Sequence, residues 1–205
     1  KIMADLKRAD SFPLLRREVA RQISDAGGPD LLLVSGLGST NWDFTAAGDR
    51  DLIFPLWGVM GGAVPLALGL AMAQPERRVL VATGDAELLM GLGSLATVAV
   101  QQPKNLAIVV FDNERYGETG MQATATAHAA DLAGIALASG IKVAGTIRDQ
   151  DELDNSIPLI FEGQGPSLHV IKVRAEPLPF VLPPKDGAYL KDRFRVALLS
   201  DAGIL

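Results

Sequence analysis

Val79-Leu80-Val81-Ala82-Thr83-Gly84-Asp85-Ala86-Glu87 and, further on, Leu106-Ala107-Ile108-Val109-Val110-Phe111-Asp112-Asn113 are the stretches that decide the fold of this chain. Each apolar run reads as a buried strand, and Leu88 to Gln101 between them reads as a helix. Strand, helix, strand is a βαβ unit, whose strands run parallel and whose crossover is right-handed. Both strands therefore end on one edge of one sheet. Asp85 delivers a carboxylate to that edge and Asn113 an amide oxygen. A hard divalent cation that keeps some waters and bridges phosphates favours such a pair. The start of the intervening helix offers main-chain N–H groups to the phosphates themselves.

Outward from this unit, strands and helices alternate. Pro13 falls in the first turn of a helix that Asp10 or Ser11 can cap, with Leu15, Val19 and Ile23 on one stripe. Gly27-Gly28 ends it. Leu31 to Val34 and Leu52 to Leu56 read as strands, and a helix follows from about Val64 to Ala73. Beyond the βαβ unit, Asn113 to Ala127 is polar and reads as a long loop without secondary structure, a kind of segment that is usually functional. Ala129 to Ser139 reads as a helix with His128 at its start. Ile141 to Ala144 is a strand, Asp149 to Glu162 a helix disturbed by Pro158, and Ser167 to Val173 a last strand that carries His169. Both histidines read as structural or surface residues. The strands are continuous apolar runs, which predicts an α/β fold: a doubly wound, mostly parallel sheet with helices on both faces. Ligands bind such sheets beyond the carboxyl ends of the strands, at a switch point. Residues 1–175 form the expected domain, and 176–205 a proline-rich C-terminal arm with a short helix near Leu190–Leu199.

The 205 residues are 48% apolar, so the chain has ample material for a core. Its net charge of −5, with no basic block, excludes nucleic acid as an expected partner. With no cysteine, disulfides, Cys-ligated zinc and iron–sulfur clusters are excluded within this chain. No apolar run is as long as a membrane span, and the expected location is cytoplasmic.

Gly84-Asp85-Ala86, with Asn113 inside Phe-Asp-Asn-Glu-Arg-Tyr-Gly, resembles the diphosphate and magnesium motif of thiamine-diphosphate enzymes. Leu56-Trp-Gly-Val-Met-Gly-Gly-Ala-Val-Pro-Leu-Ala-Leu-Gly resembles their segment for the aminopyrimidine end of the cofactor. The likeness is greatest to the β subunits of the sulfopyruvate and phosphonopyruvate decarboxylase family, from about Asp49 through Gln122 and more weakly to Val173. It implies a diphosphate-binding (PP-type) domain and the cofactors thiamine diphosphate and Mg²⁺. Asp85, Asn113 and the main-chain carbonyl of Arg115 are the implied metal ligands. The N–H groups of Ala86 and Glu87 reach the diphosphate, the Gly58 carbonyl accepts from the cofactor's amino group, and Met60 wedges beneath its rings. Gly38, Ser39, Thr40 and Asn41 lie in the implied first diphosphate loop, although the last three also suit a helix cap. Gly84, Tyr116 and Gly117 complete the implied cofactor set. The chemistry belongs to the cofactor, which adds to a carbonyl and stores the electrons released as CO₂ leaves.

Four positions depart from the family pattern. Ala86 replaces a glycine, Asp112 a frequent asparagine, and Glu87 a small or hydroxyl residue. A carboxylate beside a diphosphate is repulsive, so Glu87 is expected to point to solvent or to a partner. Trp42 stands where the sulfonate and phosphonate enzymes carry Arg or Lys. If it contacts substrate, the substrate lacks a tetrahedral anion. The glutamate that serves the pyrimidine ring is expected from a separate pyrimidine-binding α subunit, since Glu18 has no matching context. The resemblance thus implies a decarboxylase of a small 2-oxo acid, a carbon–carbon lyase, with α₂β₂ or larger assembly and no certain catalytic residue in this chain. Glu114, Arg115 and Glu118 suit a solvated loop as well as a substrate role. A carboligase of the acetolactate-synthase type, a 2-oxo acid:ferredoxin oxidoreductase β subunit (disfavoured by the absent cysteines) and a cofactor-free regulatory subunit remain open alternatives.

Overall fold

A computed structural model describes residues 6–199 of the chain. Six parallel strands form the main sheet: β1 (Leu32–Ser35), β2 (Ile53–Pro55), β3 (Val79–Gly84), β4 (Leu106–Asp112), β7 (Val143–Ile147) and β8 (Ser167–Lys172), in the order β2-β1-β3-β4-β8-β7. The βαβ unit read from the sequence lies at its centre. β3 and β4 pair from Val79 opposite Leu106 to Gly84 opposite Phe111, so both oxygen-donor ends emerge side by side. The chain leaves β1 toward β2 on one side and toward β3 on the other, which places the switch point between β1 and β3.

Strand residues alternate between two apolar layers. Leu106, Ile108 and Val110 of β4 face α3 (Ala63–Ala73), α5 (Ser94–Gln101) and α6 (Leu132–Ser139). Ala107, Val109 and Phe111 face α1 (Arg16–Gly27) and α7 (Gln150–Phe161). Burial on both sides is why these strands read as unbroken apolar runs rather than as alternation. No helix among the described residues is long and apolar enough to cross a membrane.

Several local expectations are corrected. The segment 88–101 is not one helix: α4 (Asp85–Met90) ends at Gly91 and α5 starts at Ser94. A Cβ on Gly91 would lie 2.2 Å from the Gly61 carbonyl oxygen, so the chain breaks where two backbones touch. The stretch 113–127 is ordered: β5 (Arg115–Tyr116) and β6 (Gln122–Ala123) form a small antiparallel hairpin, followed by a 3-10 turn over Ala125–Ala127. Neither Asp10 nor Ser11 caps α1. Residues Arg8–Ser11 form a 3-10 turn of their own, and Leu14 pairs with Val173 before the helix begins. Helix α6 starts at Leu132 behind an Asp131 cap, not at His128. Helix α7 runs through Pro158.

The C-terminal segment folds back over the β2 side. Trp57 Nε1 donates to the Pro184 carbonyl at 2.7 Å, and α8 (Gly187–Leu199) packs Phe194 edge-on against Phe54. Phe180 and Trp57 both contact the Trp42 ring, with centroids 5.7 and 5.4 Å away.

Candidate functional site

A cleft of about 130 Å³ opens at the switch point, above the ends of β1, β3 and β4. The loop after β1 contributes Gly38 and Ser39, the segment before α3 contributes Met60, and the β3–α4 junction contributes Gly84, Asp85, Ala86 and Glu87. Asn113, Arg115, Tyr116, Gly117 and Glu118 form the opposite wall. Gly58 lies in the same segment as Met60, although it is not part of the cleft wall.

Asp85 is 2% exposed. Its Oδ2 accepts hydrogen bonds from Thr124 Oγ1 at 2.5 Å and Thr126 Oγ1 at 2.9 Å. Thr126 Oγ1 also lies 2.8 Å from Asp112 Oδ1, so its single proton is shared in alternation between the two carboxylates. Burial, and then the neighbouring Asp112 charge, push the Asp85 pKa well above the usual carboxylate range, while the two hydroxyls and the Ala86 N–H favour the charged form. Lys172 Nζ balances the far side, at 2.7 Å from Asp112 Oδ2 and 2.8 Å from Glu114 Oε1. Burial works against the Glu114 charge, yet Arg8 and Lys172 outweigh it and hold its pKa below the ordinary value. Glu114 has φ +58°, a left-handed conformation that turns its side chain into this network and the next residues back toward the cleft. Asn113 Oδ1 accepts from Arg115 N at 2.9 Å, which fixes the amide at the strand end.

The residues fit a cation-bound diphosphate. A cation beside Asp85 would relieve the buried like-charge pair with Asp112, and carboxylate plus amide oxygen is a hard-ion donor set. Among the described residues, no group of three or more His, Cys, Asp or Glu side chains could hold a metal on its own. Such an ion would therefore take part of its shell from phosphate and water. A Cβ at Gly58, Gly84 or Gly117 would meet nothing within 4 Å, so the backbone there is open to a close-lying ligand.

Other expected site residues are placed differently. Thr40 donates to the Gly36 carbonyl at 2.7 Å, and the Asn41 amide joins Ser35 Oγ to the Leu56 carbonyl. Both are buried in the first turn of helix α2 (Ser39–Gly48), whose cap position is Gly38, and they tie down the loop before it instead of capping the helix or lining the cleft. Glu87 does not point to solvent or to a partner. It is 1% exposed and accepts from Thr83 Oγ1 and from Ala63 N, and burial raises its pKa. Trp42 does not line the cleft; its Nε1 donates at 2.9 Å to Glu118 Oε1, which does. The Arg115 guanidinium turns away, toward the Leu6 and Glu114 carbonyls and Asp10. His169 is buried in β8 beside Ser167, with its pKa lowered to about 4 by burial and by Arg78. Thr124 and Thr126 were missed by sequence reading. Their only signal is a Thr-x-Thr in a polar stretch, and nothing local shows that it folds onto Asp85.

Residues 38–171 match the model of the thiamine pyrophosphate enzyme family's C-terminal TPP binding domain. The match covers every residue that lines the cleft except Leu37. The chain belongs to this family and, within it, to the sulfopyruvate/phosphonopyruvate decarboxylase-like group. It is 40% identical over 134 residues to the sulfopyruvate decarboxylase subunit beta of Methanothermobacter thermautotrophicus, covering 65% of this chain and 70% of the relative. It is 35% identical over 167 residues to phosphonopyruvate decarboxylase of Streptomyces viridochromogenes, covering 81% of this chain but 42% of that protein. The chain thus spans about two fifths of the length of that enzyme. Among solved structures, benzoylformate decarboxylase from Polynucleobacter necessarius superposes with a TM-score of 0.68 at 20% identity, over 83% of this chain and 35% of that one.

Proposed function

We propose that this chain is the diphosphate-binding part of a thiamine-diphosphate- and Mg²⁺-dependent 2-oxo acid decarboxylase whose active site is completed by a pyrimidine-binding α subunit, in an α₂β₂ or larger assembly. The observation that carries the reading is the cleft at the β1/β3 switch point, where Asp85 and Asn113 bring oxygen donors to adjacent strand ends beside open glycine backbone. The beta-subunit relative supports the division of labour.

Bound thiamine diphosphate supplies the electron storage that carbon–carbon cleavage beside a carbonyl requires. The chain's own residues bind and orient. Asp85, Asn113 and the Arg115 carbonyl hold the cation, and the Ala86 and Glu87 N–H groups hold the diphosphate. Met60 and the Gly58 carbonyl steady the pyrimidine end. Within the chain, the cleft glutamate Glu87 is buried and committed to Thr83 and Ala63, while Glu118 is exposed and accepts from Trp42 through Oε1. Glu87 is therefore not free to serve the pyrimidine, which supports a carboxylate from the partner. Helix α3 is apolar on all sides yet leaves Leu66 and Met72 exposed, and Val59 beside the site is 78% exposed. Such a surface suits burial against another subunit.

Calorimetry and product analysis test this reading. The assembled enzyme is expected to bind thiamine diphosphate with Mg²⁺, to lose it on chelation of the metal, and to release CO₂ and an aldehyde from a 2-oxo acid. The chain without its partner is expected to release neither. Full turnover by the chain alone would refute the split site, and a carbon–carbon coupled product would replace decarboxylase with carboligase.

A further inference from the structure

We propose that Glu87 is a positioning residue that locks the pyrimidine-end segment to the diphosphate-end helix and so sets the distance between the two halves of the cofactor site. The inference rests on the thiamine-diphosphate reading above. Glu87 belongs to α4, two residues after Asp85. Its Oε2 accepts from Thr83 Oγ1 at 2.5 Å, and its Oε1 accepts from the Ala63 N–H at 3.4 Å. Ala63 opens α3, and its preceding residue Gly62 gives that helix no side-chain cap. Glu87 therefore supplies, from another element, the acceptor that a helix start needs, with the carboxylate favoured by the helix dipole.

The same helix touches the segment a second time at its other end, where Gly91 and Gly61 meet backbone to backbone. Both contacts, at Gly61 and Ala63, directly follow the Gly58–Met60 stretch and anchor its C-terminal end to the element that carries Asp85. The seat for the carboxylate exists because Gly36 has no side chain: a Cβ there would lie 1.7 Å from Glu87 Oε2. Gly36 is not among the residues with positive φ, so alanine is conformationally tolerable there, and the three atoms nearest to its Cβ all belong to the Glu87 carboxyl group.

The test uses the assembled enzyme and two probes, thiamine diphosphate with Mg²⁺ and inorganic diphosphate with Mg²⁺. Glu87→Ala is expected to weaken thiamine diphosphate by roughly tenfold or more, because misplacing a positioning segment by about 1 Å is costly, while inorganic diphosphate changes by less than about threefold. Glu87→Gln keeps an acceptor for Ala63 and is expected to recover most of the loss. Gly36→Ala alone is expected to reproduce the Glu87→Ala defect by evicting the carboxylate, and the double variant to be no worse than Glu87→Ala. Equal losses for both probes, no loss for either, or additive effects of the two substitutions would overturn the proposal. Failure of the unsubstituted enzyme to bind thiamine diphosphate would instead remove the functional reading on which it rests.

Discussion

Helices α4 and α7 both leave the carboxyl edge of the same parallel sheet, and their first turns are finished in opposite ways. At α7 the chain closes its own start. Asp149 accepts from the Glu152 N–H at 2.9 Å, and Glu152 accepts in return from the Arg148 N–H at 2.6 Å. At α4 the position before the helix is Gly84, which has no side chain to offer. The two acids of the α4 first turn are drawn elsewhere, Asp85 to Thr124 and Thr126, Glu87 to Thr83 and Ala63. A helix start that is satisfied from within is architecture. One whose acids serve other partners, and whose cap is a glycine, leaves N–H groups to a ligand.

The sharpest way to break this contrast is at α4. Replacing Asp85 and Asn113 together by alanine is expected to lower thiamine diphosphate affinity and turnover of the assembled enzyme by about two orders of magnitude or more. Its thermal stability should hold or rise, because a buried like-charge neighbour of Asp112 has gone. Retained binding would sink the metal assignment.

A smaller effect belongs to the α7 side, where His169 lies beneath the helix. Its folded pKa of about 4 is below the 6.5 of the unfolded chain, so the unfolded state takes up the proton first as pH falls. Its contribution is therefore complete above pH 6.5 and is lost between 6.5 and 4, by up to about 3 kcal/mol. Asp43 has the opposite sign. Burial raises its folded pKa from 3.8 to about 6 against the pull of Arg16 and Arg17, so it favours folding as pH falls through that window. The two partly cancel in the unsubstituted protein. Urea unfolding of a His169→Gln variant separates them: it should lose less stability than the parent between pH 6.5 and 4. An identical pH profile would contradict the assignment. The smallest effect is expected from Asp149→Ala, which should cost about 1 kcal/mol in urea unfolding and leave cofactor affinity unchanged.

The two helix starts also differ in how far they could be read in advance. The β3–β4 unit was legible because strands buried on both faces write themselves as continuous apolar runs, and Gly84, Asp85 and Asn113 follow those runs directly. The Gly91 break was marked by a glycine but lay inside an apolar stretch that favours one long helix. It takes its meaning from Gly61, which is remote in sequence. The inward turn of Glu87 was not legible, since it depends on an absent Cβ at Gly36. Likewise Thr124 and Thr126 reach Asp85 through the left-handed Glu114 and the hairpin turn with left-handed Gly120 and Met121, and nothing in a polar run announces that path. The placement of β8 between β4 and β7 is a tertiary choice with no local signature.

The two borders of the sheet are unequal. Along β2, Pro55 has no N–H to give, and Arg193 Nη2 donates at 3.2 Å to the Ile53 carbonyl while α8 lies over the strand. Along β7, Arg148 Nη1 donates at 3.2 Å to the Thr146 carbonyl near the strand's end, and Val143 at its start is exposed. Lateral growth by strand addition is thus opposed on both flanks by an arginine, and on the β2 flank also by a proline and a covering helix, which makes the C-terminal segment an added shield against fibre-like association as well as a neighbour of the Trp42 aromatic cluster.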